Sequence, residues 1–384
     1  MRFLHTSDWH LGRQFHNVSL LEDQRYVLEQ LITVVREQQV DVVVIAGDIY
    51  DRSVPPADAV SLLNTTLRTL CIDMNVPVVM ISGNHDGAER LGFGADLLQA
   101  SGLYILSHLD NFKKPLDLTV GQEQLRFYGI PYCSPEEVRH RFDTDVQTFD
   151  EAHSWLVTQI TDTLDTSKRN ILLSHCFVSG SEASESERPL SIGGADSVAW
   201  EPMRVFDYVA LGHLHAPQYR GEQHIRYSGS LLKYSFSEVT QQKGVTLVDI
   251  DDGLAPMPPV IEKIHLQPRR DMRIIEGAFA DILEQAKTDE NSEDYLLIRL
   301  TDTKAILDAV GKLRYFYPNL LHLEKPGMAG TNQSAELARE QLKRSELDMF
   351  ADFFNQSHDQ PMTDEQTQAI TEIIKAIHRS EARQ

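Results

Sequence analysis

The sequence predicts an α/β protein that carries a second, smaller α/β domain and a pair of C-terminal helices. Three observations lead to this prediction. Short apolar runs alternate with helical patterns over about the first 250 residues, Pro-rich sequence follows, and a shorter alternating pattern then leads to two separate helical segments. Such alternation is typical of layered α/β domains, and 384 residues with 41% hydrophobic content suffice for more than one core.

Five apolar runs in the first part of the chain are rich in Val, Ile or Leu and too short for buried helices, so they are predicted to be strands. They are Arg2–Thr6, Val42–Ala46, Val78–Ser82, Ile171–Ser174 and Tyr208–Leu211. Apolar residues between Leu21 and Val35 recur at helical spacing, and Ala59–Leu70 can form a second crossover helix. Crossover helices join parallel strands, so we expect the early strands to pair in parallel.

The segment from Ser179 to Asp196 is rich in Ser, Glu and Gly and lacks apolar periodicity, which predicts a long loop. Two further strands are expected after it, at Arg226–Ser230 and Gly244–Ile250. Pro-rich sequence at 256–259 is predicted to mark a domain boundary.

Beyond that boundary, a β-α-β-α-β pattern runs from about Met272 to Glu324. Two helices follow, and their apolar residues are Leu347, Phe350 and Phe354 in the first and Ile370, Ile373, Ile374 and Ile377 in the second. Thr363 and Gln366 form a capping-box pattern for the last helix. Helices this short need a surface to pack on, either a partner protein or the rest of the chain. The predicted domains are residues 1–260, 265–326 and 335–384.

The composition sets limits on the class of protein. A formal charge of −21 argues against a generally basic nucleic-acid-binding surface, so any phosphate-binding charge must be local. The three cysteines are widely spaced, which favours buried thiols over a disulfide framework or a thiolate zinc site. No apolar run approaches the ~18 residues of a membrane span and no signal-peptide pattern is found, so a cytoplasmic location is expected.

Each of the five predicted strands ends in a small residue that is followed at once by residues able to bind a metal ion. The endings are Asp8-Trp9-His10, Gly47-Asp48, Gly83-Asn84-His85-Asp86, Ser174-His175 and Gly212-His213-Leu214-His215. Carboxyl ends of strands in an α/β sheet share one edge, where ligands bind. A single Asp or His at such a place is usually structural, but five in succession indicate a metal site.

These residues match the metallophosphoesterase family in order and type, and the resemblance implies a four-layer α/β sandwich that holds two metal ions. By this resemblance Asp8, His10, Asp48 and His215 hold one ion. Asp48 also bridges to the second ion, which Asn84, His175 and His213 complete. His85 is then no ligand but contacts phosphate and protonates the leaving oxygen, a role that suits an imidazole.

The charge balance agrees with this assignment. Two divalent ions set against only two carboxylates, Asp8 and Asp48, leave roughly two positive charges to attract a phosphodiester. Mixed nitrogen and oxygen ligands without thiolates favour Mn(II), Fe(II) or Zn(II) over Mg(II), and the related nucleases typically use Mn(II). Purple acid phosphatases need a Tyr three residues after the bridging Asp, where this chain has Asp51, so a tyrosinate-bound iron is not expected.

Asp51 and Arg52 occupy the positions of a Gly-Asp-x-x-Asp-Arg pattern found in Ser/Thr phosphatases of the family. By that resemblance Asp51 orients His85 by accepting its second ring proton, and Arg52 touches phosphate. The alternative is a solvent-exposed ion pair in the loop before Pro55.

Four segments resemble one branch of the family, the SbcD nucleases. They are His5–Gly12, Ser186–Pro189, Tyr227–Ser230 and Tyr234–Glu238. The resemblance covers the first domain well, the accessory domain in layout, and the C-terminal helices in position and character. It implies a homodimer that pairs with an SbcC-like ATPase and acts as an ATP-dependent exonuclease and endonuclease on DNA ends and hairpins. Nothing in the sequence indicates base-specific readout. Arg188, Lys233 and Arg226 are candidate phosphate contacts, although lone basic residues are usually solvated.

Two other functions are open at this point. The same metals can serve a phosphatase or cyclic-nucleotide phosphodiesterase that acts on a small phosphate ester, although the accessory domain and helix pair argue against it. The chain can also be a scaffold with a decayed site, but every expected ligand is present.

Overall fold

The structure, a computed structural model, describes residues 1–120, 123–187, 196–250, 258–304, 306–325, 354 and 362–381. The chain divides into two compact units, Met1–Met272 and Arg273–Gln384. The three-part division at 1–260, 265–326 and 335–384 stays a prediction, and the last strand of the first unit already extends past residue 260 to His265. Among the described residues, none of the helices is both long and apolar enough to span a bilayer.

The strands of the first unit are numbered in chain order. They are β1 (Arg2–Thr6), β2 (Gln14–Phe15), β3 (Val18–Ser19), β4 (Val42–Ala46), β5 (Val78–Ile81), β6 (Leu103–Leu106), β7 (Leu116–Val120), β8 (Glu123–Ile130), β9 (Arg169–His175), β10 (Phe177–Val178), β11 (Ser197–Val198), β12 (Tyr208–Gly212), β13 (Gln218–Arg220), β14 (Glu222–Tyr227), β15 (Gly244–Asp249) and β16 (Val260–His265).

The α-helices of this unit are α1 (Leu21–Glu37), α2 (Ala57–Arg68), α3 (Ala88–Leu91), α4 (Ala95–Leu98), α5 (Pro135–Phe142) and α6 (Phe149–Thr161). Short 3₁₀ turns occur at Gln99–Ser101, Leu109–Asn111, Glu201–Val205 and Phe236–Glu238, and a π turn occurs at Thr69–Asp73.

Two six-stranded sheets form the core of the first unit. Their strand orders are β16-β15-β1-β4-β5-β6 and β13-β14-β12-β9-β8-β7. Strands β1, β4, β5 and β6 run parallel in the first sheet, and β8, β9, β12 and β14 run parallel in the second. Antiparallel pairs lie at one edge of the first sheet, at β15 and β16, and at both edges of the second, at β13 and β7. The predicted parallel pairing of the early strands is therefore confirmed.

The two sheets pack face to face. Phe3, Val44 and Val79 from the first sheet share one apolar cluster with Ile171 and Tyr208 from the second. The far side of the second sheet is covered by α6, whose buried residues include Leu156 and Ile160, and every residue of β4 is buried, so the first sheet is covered on both faces. The predicted α/β fold is confirmed, and the five predicted strands are divided between the two sheets, three in the first and two in the second.

Most local predictions in this unit are confirmed. The two crossover helices are present as α1 and α2, which begin and end within a few residues of the predicted bounds. The predicted strand at Arg226–Ser230 ends earlier, at Tyr227, so the last three of its residues lie beyond β14. Cys71 and Cys176 are buried and Cys133 is half-buried, and all three are free thiols.

The second unit contains the predicted β-α-β-α-β pattern. Its elements are β17 (Met272–Gly277), α7 (Phe279–Ala286), β18 (Tyr295–Leu300), α8 (Ala309–Arg314) and β19 (Leu320–Glu324). The strands form one sheet in the order β17-β18-β19. Ile282, Ile298, Leu313 and Tyr317 lie in its small core.

The final helix, α9 (Asp364–Glu381), begins at the predicted capping box. The Thr363 amide donates to Gln366 Oε1 at 2.9 Å, and the Gln366 amide donates to Thr363 Oγ1 at 3.3 Å. Both hydrogen bonds of the motif are thus present. Of the residues predicted for the preceding helix, Leu347 and Phe350 lie outside the described part of the chain.

Candidate metal centre

The strand-end residues that the sequence singled out lie together at one edge of the two packed sheets. Asp8 and His10 follow β1, Asp48 follows β4, and Asn84 and His85 follow β5. His175 is the last residue of β9, and His213 and His215 follow β12. Parallel strands point their carboxyl ends to the same edge, which is why residues more than 200 positions apart meet here.

The backbone turns sharply at this edge. Asp8, His10, Asp48 and His213 have positive φ angles of 52°, 45°, 51° and 107°. Non-glycine residues adopt such angles at a cost, and clusters of them are a feature of functional sites. The surrounding fold therefore holds these four side chains in directions that an unconstrained chain would avoid.

Glycines allow the loops to approach one another. A Cβ atom on Gly83 would lie 2.2 Å from Asp48 Oδ1, and one on Gly212 would lie 1.8 Å from the carbonyl oxygen of Ala46. Neither distance can accommodate a side chain. The small residues seen at the strand ends are thus required by the close packing of the loops around Asp48.

One half of the centre contains Asp8, His10 and His215. Each offers one ligand atom, and these atoms lie within 4.8 Å of one another. The Nε2 atoms of His10 and His215 are 3.0 Å apart. Asp8 is anchored from outside, because its Oδ1 accepts from the His213 amide at 3.0 Å and its Oδ2 accepts from Ser7 Oγ at 2.5 Å.

The other half contains Asn84, His175 and His213. The amide oxygen of Asn84 lies 3.0 Å from His175 Nε2 and 3.1 Å from His213 Nδ1. The outer ring nitrogen of His175 donates to the Ala46 carbonyl oxygen at 2.8 Å, which directs Nε2 toward the centre. Each imidazole therefore presents one nitrogen to the same small space.

Asp48 lies between the two halves. Its Oδ2 atom is 3.6 Å from His10 Nε2 and 3.6 Å from His175 Nε2. Its Oδ1 atom accepts a hydrogen bond of 2.8 Å from the His85 amide. A carboxylate oxygen equidistant from two nitrogen donors suits a group shared by two cations.

The side chains present fit divalent cations. The centre combines carboxylate and amide oxygens with imidazole nitrogens, the ligand types of Mn, Fe and Zn sites. The outer ring nitrogens of His175 and His215 are held by hydrogen bonds, as is usual for metal-binding histidines. The amide nitrogen of Asn84 is buried without a partner, so the side chain is oriented by what its oxygen contacts.

Burial and mutual charge shift the titration of these groups. Burial raises the pKa of Asp48, but the neighbouring His175 outweighs it and holds that pKa well below the usual range. Burial lowers the pKa of His175, but Asp48 outweighs it and raises that pKa to about 9. Burial lowers the pKa of His213 to about 3 and raises the pKa of Asp8 to about 6. The opposite shifts of Asp48 and His175 reflect their mutual attraction, and a cation that binds there must compete with the His175 proton.

His85 is buried beside the first half of the centre, its ring 4.6 Å from that of His10. Its Nδ1 lies 2.7 Å from the main-chain carbonyl oxygen of Asp51. The expectation that the Asp51 carboxylate accepts this proton is corrected, because the carboxylate instead pairs with Arg13 at 3.1 Å. The orienting acceptor belongs to the backbone.

The predicted phosphate contacts differ in their surroundings. Arg52 is 60% exposed and lies 3.9 Å from the Asp51 carboxylate, so its guanidinium can reach a ligand. Lys233 donates to the Val239 carbonyl oxygen and pairs with Asp271 at 2.8 Å. The positive charge of Lys233 is therefore balanced by a carboxylate of the first unit. Arg188 lies outside the described residues, and the Nε atom of Arg226 is buried without a partner.

Two residues of the centre had no predicted role. The carboxylate of Asp86 accepts from the amides of Ile49, Tyr50 and Gly83 at 2.9–3.1 Å, and so ties the loop after β4 to the loop after β5. Asp86 could have been found from the sequence, because it is the last residue of the Gly-Asn-His-Asp motif. Arg13, the partner of Asp51, directly follows the His5–Gly12 segment, but no pattern in the sequence relates it to Asp51, 38 residues away.

Comparisons with known proteins agree with these observations. The family model described as calcineurin-like phosphoesterase matches residues 1–217, and one described as type 5 capsule protein repressor C-terminal domain matches residues 268–358. The chain is 36% identical over 378 residues to the SbcD component of the nuclease SbcCD from Staphylococcus epidermidis, an alignment that covers 98% of this chain and 99% of the relative.

Two solved structures are similar to part of the chain. TT1561 of Thermus thermophilus shares 12% identity, covers 69% of this chain and 99% of its own, and has a TM-score of 0.40. A dimetal phosphatase from Danio rerio shares 13% identity, covers 69% of this chain and 99% of its own, and has a TM-score of 0.38.

Proposed function

The chain belongs to the calcineurin-like phosphoesterases and, within them, to the SbcD nuclease family, and from this premise we propose that it cleaves DNA at ends and hairpins. Membership of the family makes it a metal-dependent phosphodiesterase. The proposal adds the substrate form: a 3′-5′ exonuclease on double strands and an endonuclease on single strands and hairpins, working with an SbcC-like ATPase in DNA repair and recombination.

One observation carries the proposal. A single carboxylate oxygen of Asp48 lies 3.6 Å from an imidazole nitrogen on each side, and each imidazole belongs to a separate set of donors. We assign one cation to Asp8, His10, Asp48 and His215, and the second to Asp48, Asn84, His175 and His213. Divalent ions bound there supply Lewis acidity toward phosphoryl oxygens and a nucleophile at neutral pH.

Manganese is the proposed metal. The donor set contains nitrogen as well as oxygen, which Mg(II) accepts poorly, and it contains no thiolate, which soft metals prefer. The same set also suits Fe(II) and Zn(II). Elemental analysis of the purified chain together with reconstitution by each ion separately distinguishes the three.

His85 is the proposed proton donor to the leaving oxygen. Because a carbonyl oxygen can only accept, the 2.7 Å contact with Asp51 requires a proton on His85 Nδ1. The remaining nitrogen, Nε2, is therefore the atom that can deliver a proton to substrate. The backbone contact fixes the ring in the orientation that this transfer needs.

The acidic character of the chain is compatible with DNA as substrate if phosphate is attracted locally. A formal net charge of −21 disfavours the approach of a polyanion to the chain as a whole. Two cations at the centre reverse the sign there, and Arg52 adds an exposed guanidinium next to Asp51. Contacts to phosphate alone carry no base preference, so we propose cleavage without sequence specificity.

An SbcC-like ATPase is the proposed partner, bound through the C-terminal region. Ile373 on α9 is 53% exposed, which leaves an apolar side chain available for a partner helix. Removal of the residues after Gly330 should abolish association with the ATPase and leave metal-dependent cleavage by the chain itself intact. Cleavage lost together with association would instead favour packing of these helices on the chain itself.

A homodimer is proposed as well, and the first unit has a surface that suits it. Val60, Ile72, Phe93 and Leu97 are exposed by 44%, 57%, 86% and 83%. The first three of them line one groove on α2, the π turn and the segment around α3. Exposed apolar patches of this kind mark protein contact surfaces.

The expected cytoplasmic location remains a prediction.

The function is tested with labelled hairpin and blunt-ended duplex DNA, each with and without Mn(II). We expect cleavage by the wild type and its loss in Asp48→Asn, which removes the shared carboxylate. Asp58→Asn, an exposed acid on α2, is the control for the loss of one charge. Faster hydrolysis of a small phosphomonoester or cyclic nucleotide than of either DNA would instead support a phosphatase or cyclic-nucleotide phosphodiesterase.

A further inference from the structure

Two residues from segments that resemble SbcD sequences, Ser186 and Glu238, have no part in the proposed ligand set, yet both lie behind His215. Glu238 closes the 3₁₀ turn Phe236–Glu238, and Ser186 lies in the loop after β10. Ser186 Oγ is 2.6 Å from His215 Nδ1 and also contacts Glu238 Oε1. Glu238 Oε1 is itself 3.4 Å from the same ring nitrogen.

Glu238 is a fully buried carboxylate with a dedicated countercharge. Its side chain has no solvent exposure, and the Lys243 ammonium, 4% exposed, lies 2.6 Å from Oε2. Ser235 Oγ donates to Oε1 at 3.2 Å, and the Tyr234 amide donates to Oε2 at 3.3 Å. A carboxylate among these donors is ionised and can only accept hydrogen bonds.

This environment determines where the protons lie. The hydroxyl of Ser186 has a single proton, and its contact with an acceptor-only carboxylate must use that proton. Its oxygen then accepts from His215, so His215 Nδ1 carries the ring proton. With the proton of the neutral ring on Nδ1, Nε2 is the nitrogen left to bind a cation, and it lies 3.0 Å from His10 Nε2.

The backbone of His215 is held from the same side. Lys243 Nζ donates to the His215 carbonyl oxygen at 2.8 Å, and the His215 amide donates to Glu187 Oε1 at 2.8 Å. Glu187 is in turn held by the amide and hydroxyl of Ser184 at 2.6 and 2.8 Å. Ring and backbone of one residue are thus fixed by one polar network.

The support behind His215 differs from that behind two other histidines of the centre. His175 and His85 direct their outer nitrogens to main-chain carbonyl oxygens, which are neutral acceptors. An ionised carboxylate behind an imidazole fixes its tautomer more strongly and increases its basicity as a ligand. Burying Glu238 and Lys243 costs desolvation free energy, and a role in fixing His215 gives the chain a reason to retain the pair.

We propose that Glu238, acting through Ser186, is a positioning residue that holds His215 in its Nδ1-protonated tautomer and thereby sets the affinity of one of the two metal sites. This inference rests on the proposed function, because it assigns a role toward a cation in that centre. It predicts that damage to the network weakens the site formed by Asp8, His10 and His215 and spares the other.

The test measures Mn(II) binding to the full-length chain by competition with a chelator, for the wild type, Glu238→Gln and Ser186→Ala. Both variants should lose about tenfold to a hundredfold in affinity at one site, with the other site changed less than about twofold. Ser186→Thr retains the hydroxyl and should restore wild-type binding. Glu185→Gln removes an exposed charge from the same loop and is the matched control.

A second measurement does not involve metal. In the metal-free chain with labelled imidazole nitrogens, the nitrogen resonances of His215 should report a protonated Nδ1 in the wild type and a mixture of tautomers in Ser186→Ala. A role limited to packing would leave this signal unchanged. Ser186 lies in a loop, so we expect Ser186→Ala to fold. If Glu238→Gln does not fold, the measurements on Ser186→Ala still test the positioning role.

The outcomes separate this inference from the function on which it rests. A wild type that binds two ions and cleaves DNA, with Ser186→Ala folded and binding both ions equally well, would overturn the positioning role alone. A wild type that binds no ion would overturn both. One site weakened in Glu238→Gln and Ser186→Ala, but in neither Ser186→Thr nor Glu185→Gln, is the result that we expect.

Discussion

The Nδ1 atom of His85 donates a hydrogen bond of 2.7 Å to the main-chain carbonyl oxygen of Asp51. The ring of the proposed proton donor is therefore oriented by the course of the backbone, not by a side chain. A carbonyl oxygen stays neutral at every pH and survives any substitution at position 51. Two predictions depend on this contact.

Substitution of His85 by Gln should reduce metal-dependent DNA cleavage by about a hundredfold to ten-thousandfold, the usual contribution of a general acid. The metal content should not change, because the proposed ligand set excludes His85. Turnover of the labelled hairpin and elemental analysis of the same preparation check this prediction. Loss of metal from the variant would show that His85 is a ligand.

Substitution of Asp51 by Asn should have a much smaller effect on turnover, less than about tenfold. The main-chain acceptor for His85 is retained, and the change weakens mainly the partly exposed ion pair with Arg13 at 3.1 Å, together with longer contacts to His10 at 3.8 Å and Arg52 at 3.9 Å. Comparison of the steady-state cleavage rates of Asp51→Asn and His85→Gln tests this prediction. Equal losses in the two variants would restore an orienting role for the carboxylate.

Substitution of Asp48 by Asn should lower the metal content from two ions per chain to one or none, because this carboxylate lies 3.6 Å from donors in both halves of the centre. Cation binding stabilises the folded chain, so Mn(II) should raise the melting temperature of the wild type more than that of the variant. Elemental analysis and thermal unfolding with and without Mn(II) measure the two effects. An equal rise would argue against a shared ligand.

The stability of the chain should fall between pH 6.5 and pH 4 because of His153. Burial lowers the pKa of this histidine to about 4, and its Nε2 contacts Ser174 Oγ at 2.8 Å. The unfolded chain takes up the proton first, near pH 6.5, so stability present above that pH is lost as the pH falls toward the folded value. The expected loss at pH 5 is about 2 kcal/mol.

Urea unfolding at pH 7.5 and pH 5 measures this effect for the wild type and for His153→Gln. The variant should be less stable at pH 7.5 but should lose less stability on acidification. A second buried histidine, His5, has its pKa lowered by burial to about 3 and will contribute in the same direction. An identical pH dependence in wild type and variant would exclude His153 as a source.

Substitution of Phe93 or Leu97 by Glu should convert a dimer to monomers. Both side chains are more than 80% exposed in the single chain, and a charge in an apolar interface is unfavourable. Sedimentation or light scattering gives the oligomeric state. Leu307→Glu is the matched control, since Leu307 is 88% exposed and lies in the second unit.

The local chemistry of the centre could be predicted from the sequence because it depends on strand ends. Val42–Ala46 is an apolar run of strand length, and the Gly-Asp that follows it has to lie at the carboxyl edge of a parallel sheet. The same reasoning placed the candidate ligands on the other four strands. The capping box at Thr363 and Gln366 was predictable for a similar reason, since its two residues are neighbours on one turn.

The tertiary structure determined which groups form hydrogen bonds to the outer ring nitrogens of the histidines in the centre. Glu238 is 52 residues from Ser186 and 23 residues from His215, and no local pattern relates such positions. No local pattern shows that the Asp51 carboxylate pairs with Arg13 while the Asp51 carbonyl oxygen accepts a hydrogen bond from His85. Strand periodicity and turn residues act over a few neighbouring residues, so the sequence alone determined which side chains reach the edge. The partner of each ring nitrogen depends on how distant loops pack, and only the folded chain brings those atoms together.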